Sequence, residues 1–251
     1  MLDRDQLIDA LTAFARACPD CRAAYLGGSD ATGRADDLSD LDLVVVCDPG
    51  SEEAVFGAIE AELERLGGWA HKWRMPSPTW HKMEQAFYTL RQAPAEVMLD
   101  LVAGPIEPVR PFLVPERHGS PRILHDPEGL LRPEPLDRAA HETKVRAQIE
   151  QLKARFELFQ PLVTKEIARG RAIDAMGFYQ SLTLRPLVDL LRCLHCPDRY
   201  DYGLRYLDSD LPADVAAELR ELAYVGSLDD LATAHERARA MFREAIERIS
   251  E

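Results

Sequence analysis

The sequence predicts an α+β protein in two parts: a mixed sheet flanked by helices, followed by an all-helical C-terminal domain. Three observations predict it. Short apolar runs bounded by Gly, Pro and Asp clusters recur between residues 22 and 102, with helix-period segments among them. Residues 103–136 then hold eight of the chain's 17 prolines, a density that no long helix tolerates. From about residue 137 the apolar spacing becomes helical and stays so. The expected domains are therefore 1–110, a Pro-rich linker at 111–135, and a helical domain at 136–251.

The elements follow in order. Leu7, Ile8, Leu11 and Phe14 have the spacing of a helix over 3–17, which Pro19 ends. Residues 22–26 form a first strand that runs into a turn at Gly27, Gly28 and Ser29. Residues 41–47 form a second strand, closed by Asp48, Pro49 and Gly50. Ser51, with Glu52 and Glu53 behind it, opens a helix with acidic residues at its positive end. That helix stops near Gly67 and Gly68. Further strands are expected over 69–74, 87–91 and 96–102, and one last short strand over 122–126 inside the Pro-rich stretch. Helical patterns cover 137–169, 174–195, 212–224 and 228–250.

The 251 residues suffice for one large domain or two modest ones with a proper core. A composition of 46% hydrophobic and 29% charged residues is that of an ordinary globular protein. The net charge of −13 argues against a nucleic-acid polymer as substrate, since phosphate binding requires a surplus of Lys and Arg. It leaves room for a mononucleotide, and it favours a cationic small molecule. No apolar run approaches the roughly 18 residues that span a bilayer, and the N-terminus lacks a signal-peptide core, so no membrane partner is expected. A cytoplasmic location is expected, with the five cysteines reduced. Cys18 with Cys21 and Cys193 with Cys196 have the C-x₂-C spacing of a zinc site. Cys193, however, lies in an amphipathic helical pattern and suits a core.

The most informative stretch is 27–46, GGSDATGRADDLSDLDLVVV. Side chains at i and i+2 of a strand share a face, so Asp40 and Asp42 stand together, with Leu41, Leu43 and Val45 opposite. Adjacent carboxylates stay ionised together when a cation sits between them. Hard oxygen donors suit Mg²⁺, which completes its shell with water and substrate phosphates. The Gly-Ser turn upstream can present N–H groups and a hydroxyl to those phosphates. Asp100 interrupts an apolar run over 97–102, where a lone carboxylate is costly, and it completes the acidic set. Glu96, four residues earlier, is the reserve candidate for a ligand or general base. Asp30, Asp36 and Asp37 read as solvated or turn-forming loop residues. Trp69, Trp73 and Trp80 group with His71 and His81 as core and rim. His81 precedes the strand leading to Asp100 and is the member of that group that can face the site.

Gly27-Gly28-Ser29, the segment Ser39-Asp40-Leu41-Asp42 about ten residues on, and a distant Asp100 resemble the DNA polymerase β nucleotidyltransferase superfamily over roughly residues 20–103. With a helical region of this size behind it, the chain looks like the small-molecule branch, the aminoglycoside and lincosamide nucleotidyltransferases. The resemblance implies a nucleotidyltransferase fold and a two-metal transfer of AMP from ATP, or of another nucleotide, onto a hydroxyl of a small molecule. An aminoglycoside is the first expected acceptor, a lincosamide the second, and antibiotic resistance the implied role. Asp40, Asp42 and Asp100 are then catalytic residues and ligands of two Mg²⁺ ions. Gly28, Ser29 and Ser39 belong to the nucleotide site. Lys144, Arg146 and Arg185 are candidate cations for the triphosphate, chosen by residue type and rough position. On the same grounds Tyr179, Tyr200 and Tyr202 are candidates for stacking, and the acidic residues of 199–210 for meeting an amino-sugar. The alternatives are AMP transfer to a protein hydroxyl, as antitoxin members perform, and a non-catalytic nucleotide-binding module.

Overall fold

Asp3 opens the first helix, α1 (Arg4–Ala17). Its carboxylate accepts from Gln6 N at 2.8 Å while the Gln6 side chain accepts from Asp3 N at 3.0 Å, a reciprocal capping box. The structure is a computed structural model in which residues 1–250 are described. The chain divides into two compact units, Met1–Leu136 and Asp137–Glu251.

In the first unit α1 is followed by β1 (Ala23–Leu26), a short α2 (Gly28–Thr32) and β2 (Leu41–Val46). Then come α3 (Glu52–Arg65), β3 (Trp69–Arg74), β4 (Glu84–Leu90) and β5 (Met98–Gly104). The six-stranded sheet has the order β3-β4-β5-β2-β1-β6, where β6 is Arg122–His125. It is mixed: β2 and β5 run parallel, and the other neighbouring pairs are antiparallel. One face packs on α1 and α3. Leu41, Leu43 and Val45 of β2 and Leu99 and Leu101 of β5 meet Leu7, Leu11, Phe14, Val55, Phe56 and Ile59 there. The opposite face carries a smaller cluster of Tyr25, Val46, Met83, Val109, Leu113 and Leu131. The period-2 alternation of β2 and β5 thus buries their leucines on one face and turns Asp42 and Asp100 to the other.

The stretch 111–135, expected as a linker, is built into this unit. Its prolines cut the chain into single turns: α4 (Ile106–Val109), a 3₁₀ turn over Arg110–Leu113 and α5 (Pro115–His118). The apolar residues between them still find cores, with Val109, Leu113 and Leu131 on one face of the sheet and Leu124 on the other. The short strand expected at 122–126 pairs antiparallel with β1.

The second unit is helical: α6 (Arg138–Ala168), α7 (Ala172–Phe178), α8 (Arg185–His195), α9 (Leu207–Asp210), α10 (Ala213–Ala223) and α11 (Leu228–Ser250). The stripe Val145, Ile149, Leu152, Phe156 and Val163 buries one face of α6, and Phe156 stacks on Phe242 of α11 at 3.6 Å. The single helix expected over 174–195 is instead α7 and α8 joined by a π-helical stretch, Tyr179–Leu184. Gln160 stabilises that irregularity: its amide donates to Leu182 O at 3.1 Å and accepts from Thr183 Oγ1 at 2.7 Å and His235 Nε2 at 2.9 Å. The α+β organisation expected from the sequence is what the structure shows. Among the described residues no helix is long and apolar enough to cross a membrane.

Candidate active site

Asp42 and Asp100 face one another in register across the parallel pair β2–β5. Neighbouring strands lie about 4.8 Å apart, so two carboxylates at this position share one patch of the sheet face. Gly28, at the start of α2, is packed against Asp42. A Cβ there would come within 1.8 Å of Asp42 Oδ2, and the residue has a left-handed φ of +51°. Gly27 N donates to Asp42 O at 2.8 Å, which ties the turn to β2. Only glycine fits between the turn and Asp42, for reasons of both space and backbone angle. The half-buried Ser29 follows in the first turn of α2.

Asp40 sits just before β2, where Oδ1 accepts from Met98 N at 2.8 Å. Its backbone is fixed from the other side by Arg4 of α1, which donates to Ser39 O at 3.0 Å and to Asp40 O at 3.2 Å. Arg4 also forms an ion pair with Asp30, whose side chain is 3% exposed. Asp30 is therefore a buried structural partner rather than the solvated loop residue its position suggests. Asp36 does form a turn: its carboxylate accepts from Ser39 Oγ at 2.8 Å and Leu38 N at 3.1 Å, which holds its pKa below the ordinary carboxylate value. Ser39 is engaged in that turn.

Asp100 is held from β4. Gln85 Nε2 donates to Asp100 Oδ1 at 2.7 Å, and His81 Nε2 lies 3.0 Å from Gln85 Oε1. Burial pushes the Asp100 carboxyl above its ordinary value, the Gln85 bond pulls it back, and the charge of Asp40 pushes it up again. Phe87, opposite Asp100 on β4, stacks on the exposed Trp73 of β3 at 5.6 Å. An aromatic ledge therefore runs from the sheet edge to the carboxylates.

The donors available to a cation are carboxylate oxygens, the chemistry that Mg²⁺ takes. Among the described residues no three His, Cys, Asp or Glu side chains gather into a metal cage. Asp42 and Asp100 supply two oxygen donors on one face. Asp40 is tied back to Met98 N, and Mg²⁺ commonly binds through one or two carboxylates plus substrate phosphates. The residues present fit a substrate-assisted Mg²⁺ site better than a closed protein cage.

The other expected residues have these surroundings. Glu96 is exposed in the turn before β5. Lys144, on α6, and Arg185, on α8, belong to the second unit, as does Arg146; Arg185 pairs with Asp189 at 2.9 Å and Arg146 with Glu142 at 3.5 Å. Tyr179 is buried and donates to Leu222 O at 2.8 Å. Tyr200 packs edge-on against His141, and Arg205 lies over the Tyr202 ring. Asp210 is committed to Arg192 at 3.2 Å and Arg199 at 2.8 Å. The two C-x₂-C pairs fall in different units, and all five cysteines are free thiols. Burial raises Cys21 and Cys193 to about 12, the protonated state of core residues.

Gln85, Arg4 and Phe87 are site residues that sequence reasoning missed. Extending the β4 alternation back from Phe87 by two residues would have found Gln85. No local signal pairs Arg4 with a loop 26 to 36 residues away.

No protein-family model matches the chain, and no curated protein does. Among solved structures the chain is similar to an aminoglycoside 6-adenyltransferase from Bacillus subtilis, at 13% sequence identity and a TM-score of 0.40, over 100% of this chain and 91% of that one.

Proposed function

We propose that the chain is a Mg²⁺-dependent nucleotidyltransferase that moves AMP from ATP onto a hydroxyl of a small molecule. The observation that carries this reading is the opposition of Asp42 and Asp100 across β2–β5 with Gly28 pressed against Asp42. Two carboxylates on one patch of sheet repel each other, and burial raises the cost for Asp100. A site that keeps both is built for a cation. When bound, Mg²⁺ would neutralise phosphate charge and make the acceptor hydroxyl more acidic.

The protein's own part is positional. Asp42 and Asp100 would hold the metal, and Asp40, anchored by Met98 N and the Arg4 clamp, would sit at its margin. The bare Gly28 backbone and the Ser29 hydroxyl would receive the phosphates beside Asp42. Asp100 would face the acceptor hydroxyl and accept its proton as the oxygen attacks the α-phosphorus and pyrophosphate leaves. Lys144 and Arg185 remain candidates for triphosphate charge from the helical unit. An aminoglycoside-like acceptor suits the net charge of −13, since a polycation gains from an acidic protein.

The test is pyrophosphate release with each nucleoside triphosphate, with and without Mg²⁺, over a panel of aminoglycosides, lincosamides and simple alcohols. Release that needs the metal, the triphosphate and one class of small-molecule alcohol supports the reading. Labelling of a protein instead, or tight ATP binding without turnover under every condition, overturns it.

A further inference from the structure

The loop before β4 carries a hydrogen-bonded chain that ends on Asp100, and that carboxylate sets its direction. Met83 N–H points at His81 Nδ1 (3.2 Å) and at Thr79 Oγ1 (3.2 Å). The Thr79 hydroxyl donates its single proton to Met83 O. Thr79 Oγ1 also lies 3.2 Å from His81 Nδ1, so the direction comes from the other end: a carboxylate at Asp100 only accepts, which turns the Gln85 amide nitrogen to it and Oε1 to His81, and Oε1 can only receive a proton from Nε2. His81 Nε2–H then donates to Gln85 Oε1 at 3.0 Å. With its oxygen assigned, the Gln85 amide presents Nε2–H to Asp100 Oδ1 at 2.7 Å. Each link depends on the one nearer Asp100. A flipped Gln85 amide would set its oxygen against a carboxylate oxygen and lose both bonds.

The local fold supports the chain. Thr79 and Gln85 are buried and His81 is half-buried, with the Trp80 ring edge-on to the imidazole at 5.1 Å. Lys82 takes a left-handed φ of 63°, costly for a residue with a side chain, in the turn that brings Met83 N back onto His81. Gln85 stands on the same strand and face as Phe87, the register partner of Asp100.

We infer that His81 and Gln85 are positioning residues for Asp100: the Nε2–H tautomer of His81 orients the Gln85 amide, which holds Oδ1 of Asp100 and leaves Oδ2 to the metal and acceptor. This inference rests on the metal-site reading above. Outer partners of metal ligands contribute about 10–100-fold in affinity or activity, and Gln85 occupies that place here.

The test uses the full-length protein and Mn²⁺ as a probe for the Mg²⁺ site, with affinity read by electron paramagnetic resonance. Gln85→Met keeps the side-chain length without hydrogen bonds. His81→Leu removes the donor, and His81→Gln returns an N–H near the Nε2 position. Gln85→Met and His81→Leu are expected to weaken Mn²⁺ binding about 10–100-fold, and His81→Gln to stay within about threefold of the wild type. Long-range ¹H–¹⁵N spectra, with His81 assigned by comparison with His81→Gln, are expected to show the Nε2–H tautomer. Equal Mn²⁺ affinity in Gln85→Met and the wild type, equal losses in His81→Gln and His81→Leu, or an Nδ1–H tautomer overturns the inference. If the Mn²⁺ order holds but no alcohol yields pyrophosphate, the function reading fails and the positioning role stands. If turnover is present and the Mn²⁺ order fails, the reverse is true. A wild-type protein that binds no Mn²⁺ overturns both.

Discussion

Asp42 and Asp100 stand opposite one another on adjacent parallel strands, both turned away from the face of the sheet that buries Leu41, Leu43, Leu99 and Leu101. Asp100 is also partly buried with the charge of Asp40 nearby, and both make its carboxylate costly. Without metal, Asp100 works against folding, because burial raises its folded-state value above the ordinary 3.8. Above the raised value the carboxylate is charged in both folded and unfolded chains, and the penalty is complete. As pH falls from there towards the ordinary value, the folded state takes up its proton first and the penalty is relieved. In EDTA, Asp100→Asn should therefore melt higher than the wild type at neutral pH, with the gap narrowing on acidification. Calorimetry across pH checks this; a constant or inverted gap counts against it.

Gly28→Ala should disable the site without unfolding the protein. The new methyl group meets Asp42 Oδ2, and the positive φ costs about 1–2 kcal/mol for any residue with a Cβ. A modest drop in melting temperature is expected, together with a loss of Mg²⁺-dependent turnover far larger than that drop explains. Urea unfolding and steady-state kinetics on the same preparation separate the two effects. Turnover that falls no further than stability would remove Gly28 from the site.

The Arg4–Asp30 pair clamps α1 to the loop that delivers Asp40. Asp30 also meets Arg122 at 3.4 Å, so losing Arg4 leaves it partly compensated, at a cost below the about 3–5 kcal/mol of a fully orphaned buried charge. Arg4→Met alone should cost part of that amount, and Arg4→Met combined with Asp30→Leu should recover some of it. A double-mutant cycle by urea denaturation gives the coupling; additive single effects would contradict the clamp.

In the helical unit the buried His235 donates to Gln160, and burial lowers its pKa below the ordinary 6.5. A neutral imidazole favours the folded state. Stability contributed this way is complete above 6.5 and is lost as pH falls through the depressed folded value, because the unfolded chain takes up the proton first. His195, also depressed by burial, acts in the same direction. The melting temperature should fall below about pH 6.5, and His235→Gln should flatten part of that slope. An unchanged slope in the variant would show that His235 does not titrate on unfolding.

Much of this was legible in the sequence because strand alternation is strict. The position of Leu41, Leu43 and Val45 in the core dictates where Asp42 points, and the same logic places Asp100. The turn at Gly27 and Gly28 was legible for a similar reason, since glycine is required where the backbone crowds a carboxylate. Long-range partners were not legible. Asp30 reads as a loop residue until Arg4 arrives from α1, and His81 gains its direction only from the Gln85 amide that Asp100 orients. In the Pro-rich stretch, proline density reports the absence of long helices; it says nothing of whether Val109, Leu113 and Leu124 reach a core. Tyr179 and Asp210 show the same limit, as aromatic and acidic side chains that suit a ligand but serve the helical unit's own packing.

On the function proposed above, the Asp42–Asp100 patch performs nucleotidyl transfer. It is tested most directly by mass spectrometry of small-molecule alcohols incubated with ATP, Mg²⁺ and either the wild-type protein or Asp42→Asn. The expected result is an acceptor that gains one AMP with release of one pyrophosphate, and a loss in Asp42→Asn greater than the ~100-fold that an outer partner contributes, with the fold retained by circular dichroism. The same product formed at the wild-type rate by Asp42→Asn would contradict it.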